Sequence, residues 1–243
     1  MAEISGVWLP VVTPFIDGAV DVASYDKLLE HYLAKGVAGI FPLGTTGESP
    51  TIDDDEIEAI VDRTVNVVAG RADLRRRRRQ RHEKSSADAE AARALRVRGD
   101  RLRLAELPNI VGVKDSSGNL SQSLELLRLR PEGFAVMTGD DPFFYTMLAH
   151  GGDGGILASS HLNTERFLGV YERMTKNDHH GARALWATLE TLVPLLFKEA
   201  NPMPIKHCLW RQGLISSPEC RLPLTRISDA LADELDHVLM TDR

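Results

Sequence analysis

The chain has 243 residues and a net charge of −6, a sign that argues against nucleic acid as its default partner, because phosphate contacts need a basic surface. Its 43% hydrophobic and 26% charged content is that of a globular protein, and no apolar stretch reaches the roughly 18 residues that a membrane span needs. Two cysteines, Cys208 and Cys220, are too few for a disulfide framework, and MAEISGVWLP lacks a basic region and a long apolar core, so a cytoplasmic protein is expected.

In chain order, residues 7–15 (VWLPVVTPF) predict a strand whose two prolines suit its entry and exit. Residues 24–35 (SYDKLLEHYLAK) predict a helix with Ser24 as N-cap, apolar Leu28, Leu29, Tyr32 and Leu33 on one face, and Gly36 closing it. Residues 38–43 (AGIFPL) predict a second buried strand. Residues 53–68 predict a second helix with acidic residues at its start, where the helix dipole favours them. Further on, NIVGVK at 109–114 and FAVMT at 134–138 predict strands, separated by a helix over 121–129. A helix over 141–150, a short strand over 155–158 and C-terminal helices from about residue 160 complete the pattern. Such alternation predicts parallel strands joined by crossover helices, and a (β/α) barrel leads. Its functional groups belong where strands end and loops begin.

Residues 72–103 break the rhythm. The stretch ADLRRRRRQRHEKSSADAEAARALRVRGDRLR holds five consecutive arginines and shows no buried strand. Charge blocks of this kind usually form solvated surface. A nucleic-acid tether is disfavoured because no aromatic residue interleaves with the arginines.

Several residues could carry chemistry. Lys114 follows Ile110, Val111, Gly112 and Val113 at a strand end. It is either an ordinary exposed lysine or an amine held in the barrel mouth, where desolvation favours the neutral, nucleophilic form. In GTTGES, Gly44 and Gly47 let the backbone approach a ligand while Thr45 and Thr46 add hydroxyl donors suited to a small carboxylate. The same threonines could equally cap the next helix. Asp140 and Asp141 in TGDD read best as a cap ahead of Pro142. The adjacent His179 and His180 lack the spacing that puts two metal ligands on one helix face, and phosphate-binding and dinucleotide fingerprints are absent, so neither metal nor cofactor is expected.

Taken together, GTTGES after AGIFPL and GVKDSSGN after LPNI resemble the signature blocks of the dihydrodipicolinate synthase and N-acetylneuraminate lyase family. GVWLPVVTPF, TGDDPFFYTMLAHGGDGGILASS, FKEANPMPIKHCLWRQGL and RLPLT extend the resemblance. It implies one TIM (β/α)8 barrel domain over 1–243 and a class I aldolase-type lyase that condenses pyruvate, a keto acid, with an aldehyde through a Schiff base. It also implies a homo-oligomer with no cofactor. By the resemblance, Lys114 is the imine-forming lysine, and Thr45 and Thr46 hold the pyruvate carboxylate and relay protons. Ile156 turns its backbone to bound pyruvate, and Gly139 lies toward the second substrate. The family's GGN-type block, its YYN-P block with a proton-donor tyrosine and its arginine-bearing NxPxRT-type block have no counterpart here. Five strands are recognisable, so the barrel is expected to be incomplete, with an aberrant Arg-rich insert at 72–103 and turnover strongly reduced or lost.

Overall fold

A computed structural model of the protein describes residues 4–74, 105, 107 and 110–241. The run of arginines at 75–79, and with it the tether reading, lies outside the described residues. Six strands form one sheet: β1 (Gly6–Leu9), β4 (Gly39–Ile40), β5 (Asp73–Leu74), β6 (Gly112–Asp115), β7 (Ala135–Thr138) and β8 (Gly154–Ile156). Their order is β5-β4-β1-β8-β7-β6 and every neighbouring pair is parallel. Sequential parallel strands with crossover helices make this an incomplete (β/α)8 barrel, and β5 and β6 are its two edges among the described residues.

Two expectations need correction. The strand foreseen over 7–15 leaves the sheet after Leu9, because Pro10 brings no N–H to the ladder. Phe15 enters instead a separate two-stranded hairpin of β2 (Phe15–Ile16) and β3 (Ala19–Val20). The stretch 72–103, read as strandless, begins with β5, where Asp73 and Leu74 pair with Gly39 and Ile40. The sheet thus holds six strands, one more than the pattern suggested.

Helix α1 (Val22–Lys35) starts earlier than foreseen. Its N-cap is Asp21, whose carboxylate accepts from the Ser24 amide, and it ends at Gly36. Tyr25, Leu28, Leu29 and Tyr32 recur at helical spacing and are buried. Helix α2 (Asp54–Val68) opens with a reciprocal capping box between Asp53 and Glu56. After β6 come α3 (Leu120–Leu129) and, past β7, α4 (Phe144–Ala149). Helices α5 (Thr164–Thr175), α6 (His179–Ala187), α7 (Leu192–Leu195), α8 (Met203–Arg211) and α9 (Asp229–Thr241) follow β8.

The main core joins α1 and α2 to the C-terminal helices through residues such as Leu28, Tyr32, Ile60, Leu209 and Leu235. A second core gathers Val7, Phe144, Phe167 and Trp186. Inside the sheet's curve, Trp8, Met137 and Ile156 pack as a small cluster. This cluster floors the rim at the strands' C-terminal ends, which Pro10, Phe41, Lys114, Gly139 and Ile156 share.

Candidate active site

That rim encloses a cavity of about 570 Å³. Thr45, Thr46, Lys114, Gly139 and Ile156, taken from four separate stretches of sequence, all line it. Sequence reasoning named these five, and the fold brings them to one void.

The GTTGES loop is shaped by its backbone. The Gly44 carbonyl accepts from the Gly47 amide (3.1 Å), and the Thr45 carbonyl accepts from the Glu48 amide (3.1 Å). Thr13 Oγ1 donates to the Gly47 carbonyl at 2.9 Å. A side chain at Gly47 would press on the Leu43 backbone at 3.0 Å and the Val11 carbonyl at 3.1 Å, so glycine is needed where the loop folds onto β1's extension. Neither threonine caps a helix. Asp53 caps α2, and Thr45 and Thr46 line the cavity instead. Thr46 is buried and its Oγ1 accepts from Asn201 Nδ2 at 2.9 Å.

Lys114 lies on the edge strand β6 and is exposed, so the burial that a desolvated amine requires is not provided here. The end of its strand is nonetheless firmly held. Asp115 is buried and accepts from Ser123 Oγ at 2.5 Å, while its carbonyl accepts from the Gly139 amide at 2.6 Å. The position of Gly139 also changes its reading. A Cβ there would fall 2.1 Å from Lys114 Cε and 2.0 Å from Ser116 Oγ. The bare glycine therefore makes room for the lysine side chain as it crosses the rim, whatever lies on the second-substrate side.

Asp140 does hold the N-cap position of the short 3-10 turn Asp141–Phe143, with Pro142 in its first turn, although its side chain makes no capping hydrogen bond. Asp140 accepts from the Gly118 amide at 2.8 Å, tying the loop after β7 to the loop after β6. Asp141 is buried at the cavity wall, where its Oδ2 accepts from the Ser159 amide (2.7 Å) and hydroxyl (2.6 Å). Burial pushes its carboxyl up to about 6, against the Ser159 hydrogen bonds and the nearby Lys114 charge, which pull it down.

Beneath the loop lies a buried ion pair. Glu48 Oε1 and Lys206 Nζ stand 2.5 Å apart with both side chains shielded from water. Lys206 also donates to the Glu219 carbonyl (2.8 Å) and sits over the Phe15 ring at 4.2 Å. Burial lowers the Lys206 ammonium from its usual range, opposed by the Glu48 carboxylate.

Sequence reasoning missed Asn201 and read Asp141 only as part of a cap. Asn201 stands before Pro202, between α7 and α8, 155 residues from the threonine that it touches, and no local pattern announces that contact. Asp141 was hidden by the Asp-Pro pairing that normally signals a cap. Among the described residues no group of three or more His, Cys, Asp or Glu could hold a metal, and no helix is long and apolar enough to cross a membrane.

The chain matches the model of the dihydrodipicolinate synthetase family over residues 3–76 and 100–241. It is 39% identical over 285 residues to 4-hydroxy-tetrahydrodipicolinate synthase 2 of Clostridium acetobutylicum, covering 98% of this chain and 100% of that protein. The fold superposes on the crystal structure of dihydrodipicolinate synthase from Aquifex aeolicus with a TM-score of 0.89, at 26% identity over 98% of each chain. It is similarly close to the chloride-inhibited dihydrodipicolinate synthase from Acinetobacter baumannii complexed with pyruvate, with a TM-score of 0.87 at 26% identity over 98% of each chain. Both the sequence blocks and the fold therefore lead to one assignment: the chain belongs to the dihydrodipicolinate synthetase family, a family of carbon–carbon lyases of the aldolase type built on the TIM barrel.

Proposed function

We propose that the chain captures pyruvate as an imine at Lys114 and that its condensation with an aldehyde is strongly slowed. The observation that carries this reading is the convergence of Lys114, Thr45, Thr46, Gly139 and Ile156 on one cavity. In the proposed sequence the neutral Lys114 amine adds to the ketone carbon, and uptake of one proton with loss of water leaves a protonated imine. That imine is an electron sink, so a methyl proton departs to give an enamine. The enamine carbon then forms the new bond to the aldehyde carbon, and water releases the product from Lys114. Thr45 and Thr46 offer hydroxyls to the carboxylate, and the similar Acinetobacter baumannii enzyme has been crystallised with pyruvate.

Two features support the slowed turnover. The sequence has no block corresponding to the proton-donor tyrosine or the substrate-binding arginine, and a positioned general acid or base typically contributes about 10²–10⁴ in rate. Lys114 is also exposed at a sheet edge, which weakens the electrostatic help that a dry site gives. The same exposure favours a second reading, a remnant of the family that no longer performs catalysis.

Borohydride reduction with pyruvate, followed by peptide mass mapping, separates the two. We expect a reduced pyruvate adduct on Lys114 and none in the Lys114→Arg variant. An unmodified Lys114, or an equal gain in the Lys114→Arg chain, would overturn the imine reading and leave the remnant.

A further inference from the structure

The Thr46–Asn201 contact has a polarity that the cavity wall otherwise lacks. An amide NH2 can only donate, so with Asn201 Nδ2 at 2.9 Å the Thr46 oxygen acts as acceptor there. The hydroxyl hydrogen of Thr46 must then go elsewhere, and among the described residues none accepts it. Thr46 is buried and lines the cavity, so that hydrogen is aimed at whatever occupies it. The other end of the same amide carries a second observation. Asn201 Oδ1 is shielded from water and has no hydrogen-bond partner among the described residues. A buried acceptor without a partner is destabilising, and a donor that reaches it relieves the loss. The acceptor end of the amide is thus turned away from the open cavity, and Thr46 is the partner that lines it.

We propose that Asn201 is a positioning residue for keto-acid recognition. Its Nδ2 fixes the Thr46 hydroxyl as a donor to the ligand's carboxylate. When the lysine amine adds to the ketone, its nitrogen bonds to the carbonyl carbon as the carbon–oxygen π bond opens, one of its protons passes to the oxygen to give a hydroxyl, and a further proton from solvent lets that hydroxyl leave as water. A carboxylate can only accept, which suits a donor-fixed threonine. A ketone without a carboxylate gains nothing from the Thr46 arm.

This inference rests on the imine reading, and its test is arranged so that the two fail separately. Borohydride trapping at Lys114 is followed against pyruvate concentration, and against acetone as a ketone without a carboxylate. For Asn201→Asp, which keeps the shape but replaces the donor by an acceptor, the pyruvate concentration for half-maximal trapping is expected to rise about tenfold or more, since a charge-assisted hydrogen bond is lost and reversed. Acetone trapping should stay within about twofold, because loss of a recognition contact leaves ketone addition without a carboxylate untouched. Thr46→Val should reproduce the pyruvate effect, and adding Asn201→Asp to it should change little further, as expected of residues acting through one contact. Should both single variants trap pyruvate as the parent does, or should acetone trapping fall in step with pyruvate, Asn201 only holds the fold and the proposal is wrong. If the parent itself traps no pyruvate, the imine reading falls and takes this one with it; if only the Asn201 result goes astray, the imine reading stands.

Discussion

Asp141 and His161 are both buried and both neutral near pH 5, and their titrations push stability in opposite directions. Asp141 is raised from 3.8 to about 6 by burial, so between those values the folded chain keeps a proton that the unfolded chain has released. Its contribution is therefore present at low pH and lost as pH rises toward 6. His161 is lowered from 6.5 to about 4 by burial, and its ring fits the neutral form, with Nδ1 toward the Ala158 carbonyl (2.8 Å) and Nε2 accepting from the Val12 amide (3.3 Å). Here the unfolded chain binds the extra proton, so stability is lost as pH falls from 6.5 toward 4. A tenfold difference in proton affinity between folded and unfolded chain is worth about 1.4 kcal/mol, so each residue's effect is on the order of a few kcal/mol, and over pH 4–6 the two largely cancel. His31, lowered mainly by burial, adds to the His161 side. We predict that Asp141→Asn makes the melting temperature fall more steeply than the parent's on acidification from about pH 6.5 to about pH 4.5. His161→Gln should show the reverse slope relative to the parent. Thermal melts across that range decide it, and variants that run parallel to the parent would show that neither group is buried as described.

Between elements, the GTTGES loop and helix α8 are joined by Glu48 and Lys206, a pair with no water around it. Burying both charges is costly in itself, so the informative quantity is the effect of removing one partner. Lys206→Met should destabilise by about 3–5 kcal/mol, because Glu48 is left buried without its counter-charge and with the Arg221 amide still donating to it, whereas Glu48→Gln added to it should recover much of that loss. Urea unfolding of the two single variants and the double variant measures this. Strict additivity, or a Lys206→Met cost within the noise of a surface substitution, would mean that the pair does not tie the loop. The sequence could not announce this tie, since neither residue lies near the other along the chain. It did announce the helices, whose apolar spacing and caps are local: Gly36 ends α1, and the acidic start at Asp53 opens α2. Strands fared less well. Gly39–Ile40 falls within the buried strand expected over 38–43, whereas Asp73–Leu74 is two residues long, too short to show a period of two, and runs straight into arginines. Lys114, Thr45, Thr46, Gly139 and Ile156 were legible through whole blocks of resemblance, whereas Asn201 acts through tertiary contact alone and Asp141 imitates a cap.

At the scale of the molecule, the edges of the sheet and the break in the family match coincide. The family model stops at residue 76 and resumes at 100, just after β5 and before β6, the two strands with a single neighbour among the described residues. The 285-position alignment to the Clostridium acetobutylicum relative, set against a chain of 243 residues, leaves at least 42 positions (285 less 243) with no residue here. An eight-stranded barrel would place two further strands between those edges, and leaving them open exposes a template for aggregation. A deletion combined with a shifted reading frame would leave such a stretch between two well-matched flanks, because the change then ends as abruptly as it begins. We predict that the coding DNA for residues 77–99, read in one of its other two frames, yields apolar strand-like segments and part of a GGN-, YYN-P- or NxPxRT-type block. Resequencing that interval checks it: a confirmed sequence whose other frames carry only stop codons and no such pattern would show that the arginine block is the protein's own. In that case the half-open barrel would have to be explained as a fold kept for binding.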